Sequence, residues 1–436
     1  MMPWYDATAL MIGGVLLFMA LGLPVALAFL AINIIGAVIF LGGMPGIDQL
    51  IANATDSVTS FSLVPVPLFV LMGELLFQSR LALRVFDALD KCLGRARGRL
   101  SYMTVAGGTL FATLSGSSMA NTAMLGTTLM PEMKRRGYKD VLVMGPILAT
   151  GSLAMIIPPS SLAVLLGSLA RIDVGALLIA GVLPGLVLAV LFVVAIRVII
   201  AVDPEAAPAY AAERASLSQI GSALLRDVAP MGLVVFAVIG LILLGWATPT
   251  ESAAFGVLAV VILATAYRKL DRDVILRSLR GTLAVSAMML TIIVASTTFA
   301  QILAFSGASR GVVAWATGFE VSAHVMLLFI FLVLLVMGMF MDQLSIMMLS
   351  LPIFIPLIQH FGFDDVWFGV FMLVALEMSL VTPPFGLLLF VMLGVAPPGT
   401  TLWQVTRSVL PFLLCTVVLL VLLVIFPPLA TWLPSL

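Results

Sequence analysis

The chain repeats itself: features of its first half recur in the second at an offset of 225 residues. Residues 131–137 and 356–362 each run from a proline to a glycine, PEMKRRG against PLIQHFG. The double proline Pro158-Pro159 recurs as Pro383-Pro384, and Pro24 recurs as Pro249. The repeated unit is apolar, since 62% of the 436 residues are hydrophobic and only 10% are charged. Soluble domains do not reach that balance, so the chain reads as an all-α polytopic membrane protein. A duplicated membrane unit is built either in parallel or inverted about an axis in the membrane plane.

The charges choose between these two. Cytoplasmic loops collect Lys and Arg. Residues 80–99 carry Arg80, Arg84, Lys91, Arg95, Arg97 and Arg99, and residues 134–139 carry Lys134, Arg135, Arg136 and Lys139. Their counterparts, 305–324 and 359–365, hold only Arg310, with Glu320, Asp364 and Asp365. The third pair reverses: 43–55 has no basic residue, and 268–280 has Arg268, Lys269, Arg272, Arg277 and Arg280. Matching loops therefore face opposite sides, which predicts two inverted repeats. Formal net charge is zero, and no nucleic-acid partner is implied. Cys92 and Cys415 fall in a basic stretch and an apolar span, which argues against a disulfide; with two histidines they suggest no clustered metal site. No Lys or Arg precedes Arg80, so the first apolar segment is expected to be retained.

About ten crossings and two re-entrant hairpins follow. The first repeat spans 1–201, with a hairpin at about 100–133 and a broken helix at about 141–170. Residues 202–226 form a cytoplasmic linker. The second repeat spans 227–436, with a hairpin at about 325–356 and a broken helix at about 366–395. Spans at 7–23 and 25–42 meet near Pro24; residues 43–60 lie outside and 61–79 cross inward. In 80–99, Leu81, Leu83, Val85, Phe86 and Leu89 alternate with basic positions, as in a helix lying along the interface. Residues 174–201 cross back. Spans at 228–246 and 250–267, a basic interfacial stretch, a crossing at 281–304 and a last span at 404–433 complete the chain, with both termini outside. The hairpin assignment rests on residues 115–122, SGSSMANT, a polar run inside an apolar segment bounded on both sides by cytoplasmic charge. Lipid cannot satisfy such a run, so it must be buried in protein or line a cavity.

Hairpin tips and helix breaks are the candidate site. Unwound carbonyls and hydroxyls there coordinate a coupling cation, and half-helix N-termini face an anionic solute. The first half offers Ser115, Ser117, Ser118, Asn121 and Thr122 at the tip, and Thr150, Ser152, Ser160 and Ser161 at the break. In the second half Asp342 sits at the tip and Glu377 approaches the break, followed by Ser379 and Thr382. Carboxylates at that depth are costly and point to function, although either could be protonated or cap a helix. Sodium binding and proton coupling both remain open on these residues. Thr248-Pro249-Thr250-Glu251 reads as a capping box that starts a helix. Glu74 is read as pairing with an Arg of 80–99, His324 and His360 as solvated, and the 25 methionines as packing. No HExxH or Walker A sequence is present, and no Ser–His pair lies in reach, so no enzyme is expected.

In these same segments the chain resembles the large membrane subunit of tripartite ATP-independent periplasmic (TRAP) transporters. SGSSMANTAMLGTTLMPEMKRRGY, IIPPS, TPTESAAFG, GMFMDQLSIMMLSLPIFIP and LEMSLVTPPFGLLLF carry the resemblance, in order and across nearly the whole chain. It implies a secondary transporter of the bacterial inner membrane, Na⁺-coupled and without a cofactor, importing an organic anion such as a dicarboxylate or sialic acid. It implies two partners, a small four-helix membrane subunit on a separate chain and a periplasmic substrate-binding protein. It implies a static scaffold and an elevator-type transport domain. A first cation site would involve Ser115, Gly116, Ser117, Asn121, Thr150 and Gly151, and a second Gly338, Asp342, Glu377, Thr382 and Pro383. Ser118, Thr122, Ser152 and Ser345 would line the solute path. Where Glu74 stands, members of that family often have Asn. The alternative is a stand-alone Na⁺- or H⁺-coupled anion carrier of similar inverted fold.

Overall fold

A computed structural model describes residues 2–59, 63–81, 83–93, 96–208, 216–319 and 321–436, which are helices and short connections with no strand among them. Arg95, Glu320 and residues 209–215 of the linker lie outside the described residues, as does the side chain of Leu83. Among the described residues six helices are long and apolar enough to cross a membrane, and shorter apolar helices such as Val25–Phe40 and Pro65–Gln78 accompany them. The chain is an all-α, multi-pass membrane protein.

Two interrupted helices form the centre. In Asp140–Gly151 every residue from Leu142 onward is buried, and in Asp365–Leu380 every residue from Trp367 onward. A helix apolar all round belongs inside a protein, not at its surface. Asp140–Gly151 packs against the hairpin Arg99–Ser115 and Ser118–Arg135, and against Leu402–Ile425. Gly145 lets Phe412 and the Ser408 carbonyl come close, and Phe412 meets Phe192 edge-on at 5.8 Å. Asp365–Leu380 packs against Ala323–Gly338, and Trp367 Nε1 donates to the Leu423 carbonyl at 2.9 Å.

A second packing group stands beside the first. Pro65–Gln78 lies against Pro249–Ala266 and Arg272–Phe305, and Val25–Phe40 lies against Arg272–Phe305. Asn33 Nδ2 donates to the Ala295 carbonyl at 2.6 Å, and Phe29 meets Phe299 at 4.9 Å. Pro249–Ala266 begins with the expected reciprocal box. The Glu251 N–H donates to Thr248 Oγ1 at 3.3 Å and the Thr248 N–H donates to Glu251 Oε2 at 2.8 Å.

The elements recur at the offset seen in the sequence. Ser118–Arg135 and Gln343–His360 each have 18 residues and start 225 apart, and the two cis bonds, Pro158-Pro159 and Pro383-Pro384, are 225 apart as well. One pair breaks the symmetry. The expected interfacial stretch at 268–280 and crossing at 281–304 form one 34-residue helix, Arg272–Phe305, capped by Asp271. Its counterpart is two helices, Met44–Thr59 and Pro65–Gln78. Pro65 and Pro67 have no amide hydrogen and sit in the first turn, where none is needed; the matching Leu290 and Ile292 keep theirs, and the helix runs through. Residues 44–59, read only as an outer connection, are thus a helix packed on Arg272–Phe305, with Asn53 bonded to Gln301.

Within 80–99, Leu83–Leu93 forms a helix lying against Arg99–Ser115 with Val85 and Phe86 buried. Arg84 donates twice to Asp227, at 2.7 and 2.9 Å, and lies 4.3 Å over the Tyr267 ring. Two expectations change here. Arg99, grouped with the loop charges, is buried. The linker is docked at its start, where the Lys139 N–H donates to the Ala206 carbonyl and Lys139 Nζ to Asp203; the next helix begins inside it at Leu217, capped by Ser216.

Candidate functional site

The first tip is made by one glycine. Arg99–Ser115 stops because Gly116 takes φ +58°, a left-handed conformation that side chains resist. Ser117 is then extended and caps Ser118–Arg135, its Oγ accepting from the Ala120 N–H at 3.3 Å. A Cβ on Gly116 would sit 3.3 Å from the Pro159 carbonyl, so the tip touches the break of its own half. Beyond that break Ser160 caps Ser161–Ala170, accepting from the Ala163 N–H at 3.1 Å. Gly151 lies under the Thr122 hydroxyl, and Gly108 under the Thr150 hydroxyl. Thr150 Oγ1 and Ser152 Oγ donate to carbonyls one turn back, at 2.9 and 2.7 Å. Their lone pairs remain. Asn121 and Thr122 are fully buried, and their side-chain polar atoms have no partner among the described residues.

The second tip is built with a carboxylate. Asp342 caps Gln343–His360, accepting the N–H groups of Leu344 and Ser345 at 3.0 and 3.3 Å and the Ser345 hydroxyl. Gly338 packs so close to Ser379 that a Cβ there would overlap its hydroxyl. At the break, Thr382 Oγ1 donates to the Met378 carbonyl at 2.7 Å, and Pro383 joins Pro384 through a cis bond. Phe340 of the tip and Phe385 of the break meet at 5.6 Å with their rings tilted by 42°.

Glu377 does not stay within its own half. It is fully buried, and the Ser118 hydroxyl of the first tip donates to its Oε1 at 2.6 Å. The Met155 N–H, from the first break, lies beside the same carboxylate, while Oε2 has no partner among the described residues. The two expected groups of residues therefore meet at Ser118 and Glu377. Unpaired oxygens on Asn121, Thr122 and Glu377 leave a buried, oxygen-rich region whose donor chemistry fits a hard cation such as Na⁺.

A cleft of about 580 Å³ opens over both tips. Ser118, Ser161 and Gln343, the first residues of three helices, all line it. Each helix start carries roughly half a positive charge; Asp342 offsets that of Gln343–His360, and the two serine-capped starts favour an anion. The facing wall is Glu74 and Gln78 with Met288 and Met289 of Arg272–Phe305. Sequence reasoning missed this wall. Glu74 was assigned to an Arg of 80–99; its carboxylate instead accepts from Gln78 Nε2 at 3.3 Å and lies on Gly281. A carboxylate in an apolar span was the available signal. The methionines gave none, being two of 25.

The chain is similar to known membrane transport proteins. The chain is 31% identical over 406 residues to the C4-dicarboxylate TRAP transporter large permease protein DctM of Pseudomonas aeruginosa, covering 90% of this chain and 93% of that protein. It is 28% identical over 430 residues to the ectoine TRAP transporter large permease protein TeaC of Halomonas elongata, covering 98% and 99%. It is 28% identical over 417 residues to the sialic acid TRAP transporter large permease protein SiaM of Vibrio cholerae, covering 95% of each chain. The fold is similar to that of the Alcanivorax borkumensis YdaH transporter, with TM-score 0.63, 15% identity, and 88% and 90% of the two chains covered. The family described as tripartite ATP-independent periplasmic transporter, DctM component, matches residues 12–429, and the chain belongs to it, as a permease subunit of the inner membrane.

Proposed function

We propose that this chain imports a carboxylate-bearing organic solute, driven by Na⁺, on a transport domain formed by the two hairpins, the two interrupted helices and their supporting spans. The repeats are inverted, 1–201 and 227–436, and the helices around Pro65–Gln78, Pro249–Ala266 and Arg272–Phe305 form the static scaffold. The observation that carries the reading is the meeting of both tips in one cleft lined by three helix starts. Buried oxygens without partners on Asn121, Thr122 and Glu377 support cation coupling. The two packing groups support an elevator motion of one against the other. The relatives named for C4-dicarboxylate and sialic acid support a carboxylate, and their TRAP membership supports a small membrane subunit and a periplasmic binding protein as partners.

The test is uptake into proteoliposomes of the radiolabelled solute that co-purifies with the binding protein. Uptake is expected only with both partners and an inward Na⁺ gradient. Equal uptake without sodium overturns the coupling. Uptake by this chain alone, with no soluble component, identifies a stand-alone carrier instead.

A further inference from the structure

We propose that the solute is a zwitterion, with a carboxylate at one end and an ammonium or amidinium group at the other, and that Glu74 receives the cationic end. The inference rests on the cleft being the solute site. Among the described residues lining it, the charged ones are Glu74 and Asp342, both carboxylates, with no Lys, Arg or His. Asp342 is committed to its own helix start through two N–H groups and the Ser345 hydroxyl. Glu74 is not committed in that way. It is half-buried in Pro65–Gln78, and the donor it has among the described residues is the neutral amide of Gln78. Gly281 gives its carboxylate room where any side chain would press on it.

The cleft is therefore polarised. On one side, the starts of Ser118–Arg135 and Ser161–Ala170 present N–H donors and positive partial charge, while the start of Gln343–His360 is offset by its Asp342 cap. On the other, Glu74 and Gln78 present a carboxylate and a carboxamide. A carboxylate placed at the helix starts is matched. A second carboxylate extending toward Glu74 meets like charge with no basic side chain in the described lining to offset it. An ammonium or amidinium there gains an ion pair with the half-buried Glu74 carboxylate. The volume, about 580 Å³, is in the range of small-molecule sites.

Two probes of equal chain length separate the cases: 5-aminopentanoate and glutarate, which differ in one terminal group. Binding to the purified complex in sodium-containing buffer is followed by tryptophan fluorescence. Wild type is expected to bind 5-aminopentanoate at least about tenfold more tightly than glutarate. Glu74→Gln should abolish that preference at an unchanged melting temperature, and Glu74→Asp, which keeps the charge, should restore most of it. Glutarate binding as tightly as 5-aminopentanoate, or a preference unchanged in Glu74→Gln, overturns the inference. If neither probe binds while sodium-driven uptake of the binding protein's solute proceeds, the zwitterion inference falls and the carrier reading stands.

Discussion

Ser118→Ala removes the one described hydroxyl donor to the fully buried Glu377. The bond is 2.6 Å long, within the short range of hydroxyl-to-carboxylate contacts. A hydrogen bond to a charged acceptor contributes about 1.5–3 kcal/mol, against about 1 kcal/mol for a neutral pair. The second carboxyl oxygen already lacks a described partner, which leaves the Met155 N–H as the remaining donor beside the carboxylate. A double-mutant cycle of Ser118→Ala and Glu377→Ala cancels the cavity and desolvation costs of each change and leaves the coupling. The assay is SDS-titrated unfolding of the purified protein in mixed micelles, and the expected coupling is about 1–3 kcal/mol, the upper part of the range applying where the carboxyl is ionised. The same loss expressed at a cation beside Glu377 raises the half-saturating sodium concentration about tenfold or more in Ser118→Ala. Additivity within about 0.5 kcal/mol would refute the reasoning, because residues joined by this bond cannot act independently.

Gly338→Ala drives a methyl into Ser379 and should destabilise by about 1–3 kcal/mol in the same assay, with Ser379→Gly on top restoring much of it. Thr248→Ala removes the cap of Pro249–Ala266 and should cost about 0.5–2 kcal/mol while leaving sodium dependence of uptake unchanged. Asp342→Asn keeps a side chain able to cap Gln343–His360, so the protein should melt normally yet need more sodium for half-maximal uptake; an unchanged sodium curve places the second cation elsewhere.

Much of this architecture was legible because it depends on local chemistry repeated twice. The polar run 115–122 contains a glycine able to turn left-handed and a serine able to cap, and it does both. The double prolines mark breaks because proline supplies no amide hydrogen. Thr248 and Glu251 form their box from four adjacent residues. What escaped depends on contacts between distant segments. Ser118 and Glu377 are 259 residues apart, and nothing in either neighbourhood points to the other. Glu74 has Arg80 and Arg84 close in sequence, yet Arg84 is engaged by Asp227, 143 positions away, and Glu74 faces the cleft. Arg99 reads as loop charge and is buried at a helix start. The union of two expected elements into Arg272–Phe305 turned on the absence of prolines at 290 and 292, a signal visible only by comparing the two halves.

That long helix has a further consequence. Its 34 residues extend about 51 Å, whereas the hydrocarbon core of a bilayer is about 30 Å thick. Tilting by about 20° shortens its projection by only a few ångströms, so roughly a dozen residues must stand in the headgroups or beyond. Arg272, Arg277 and Arg280 are exposed near one end and cannot be drawn into lipid. The helix thus has its height in the membrane set by its own charges, like a pile driven to a fixed depth. The neighbouring hairpin arm Gln343–His360 carries no Lys or Arg and has no such anchor.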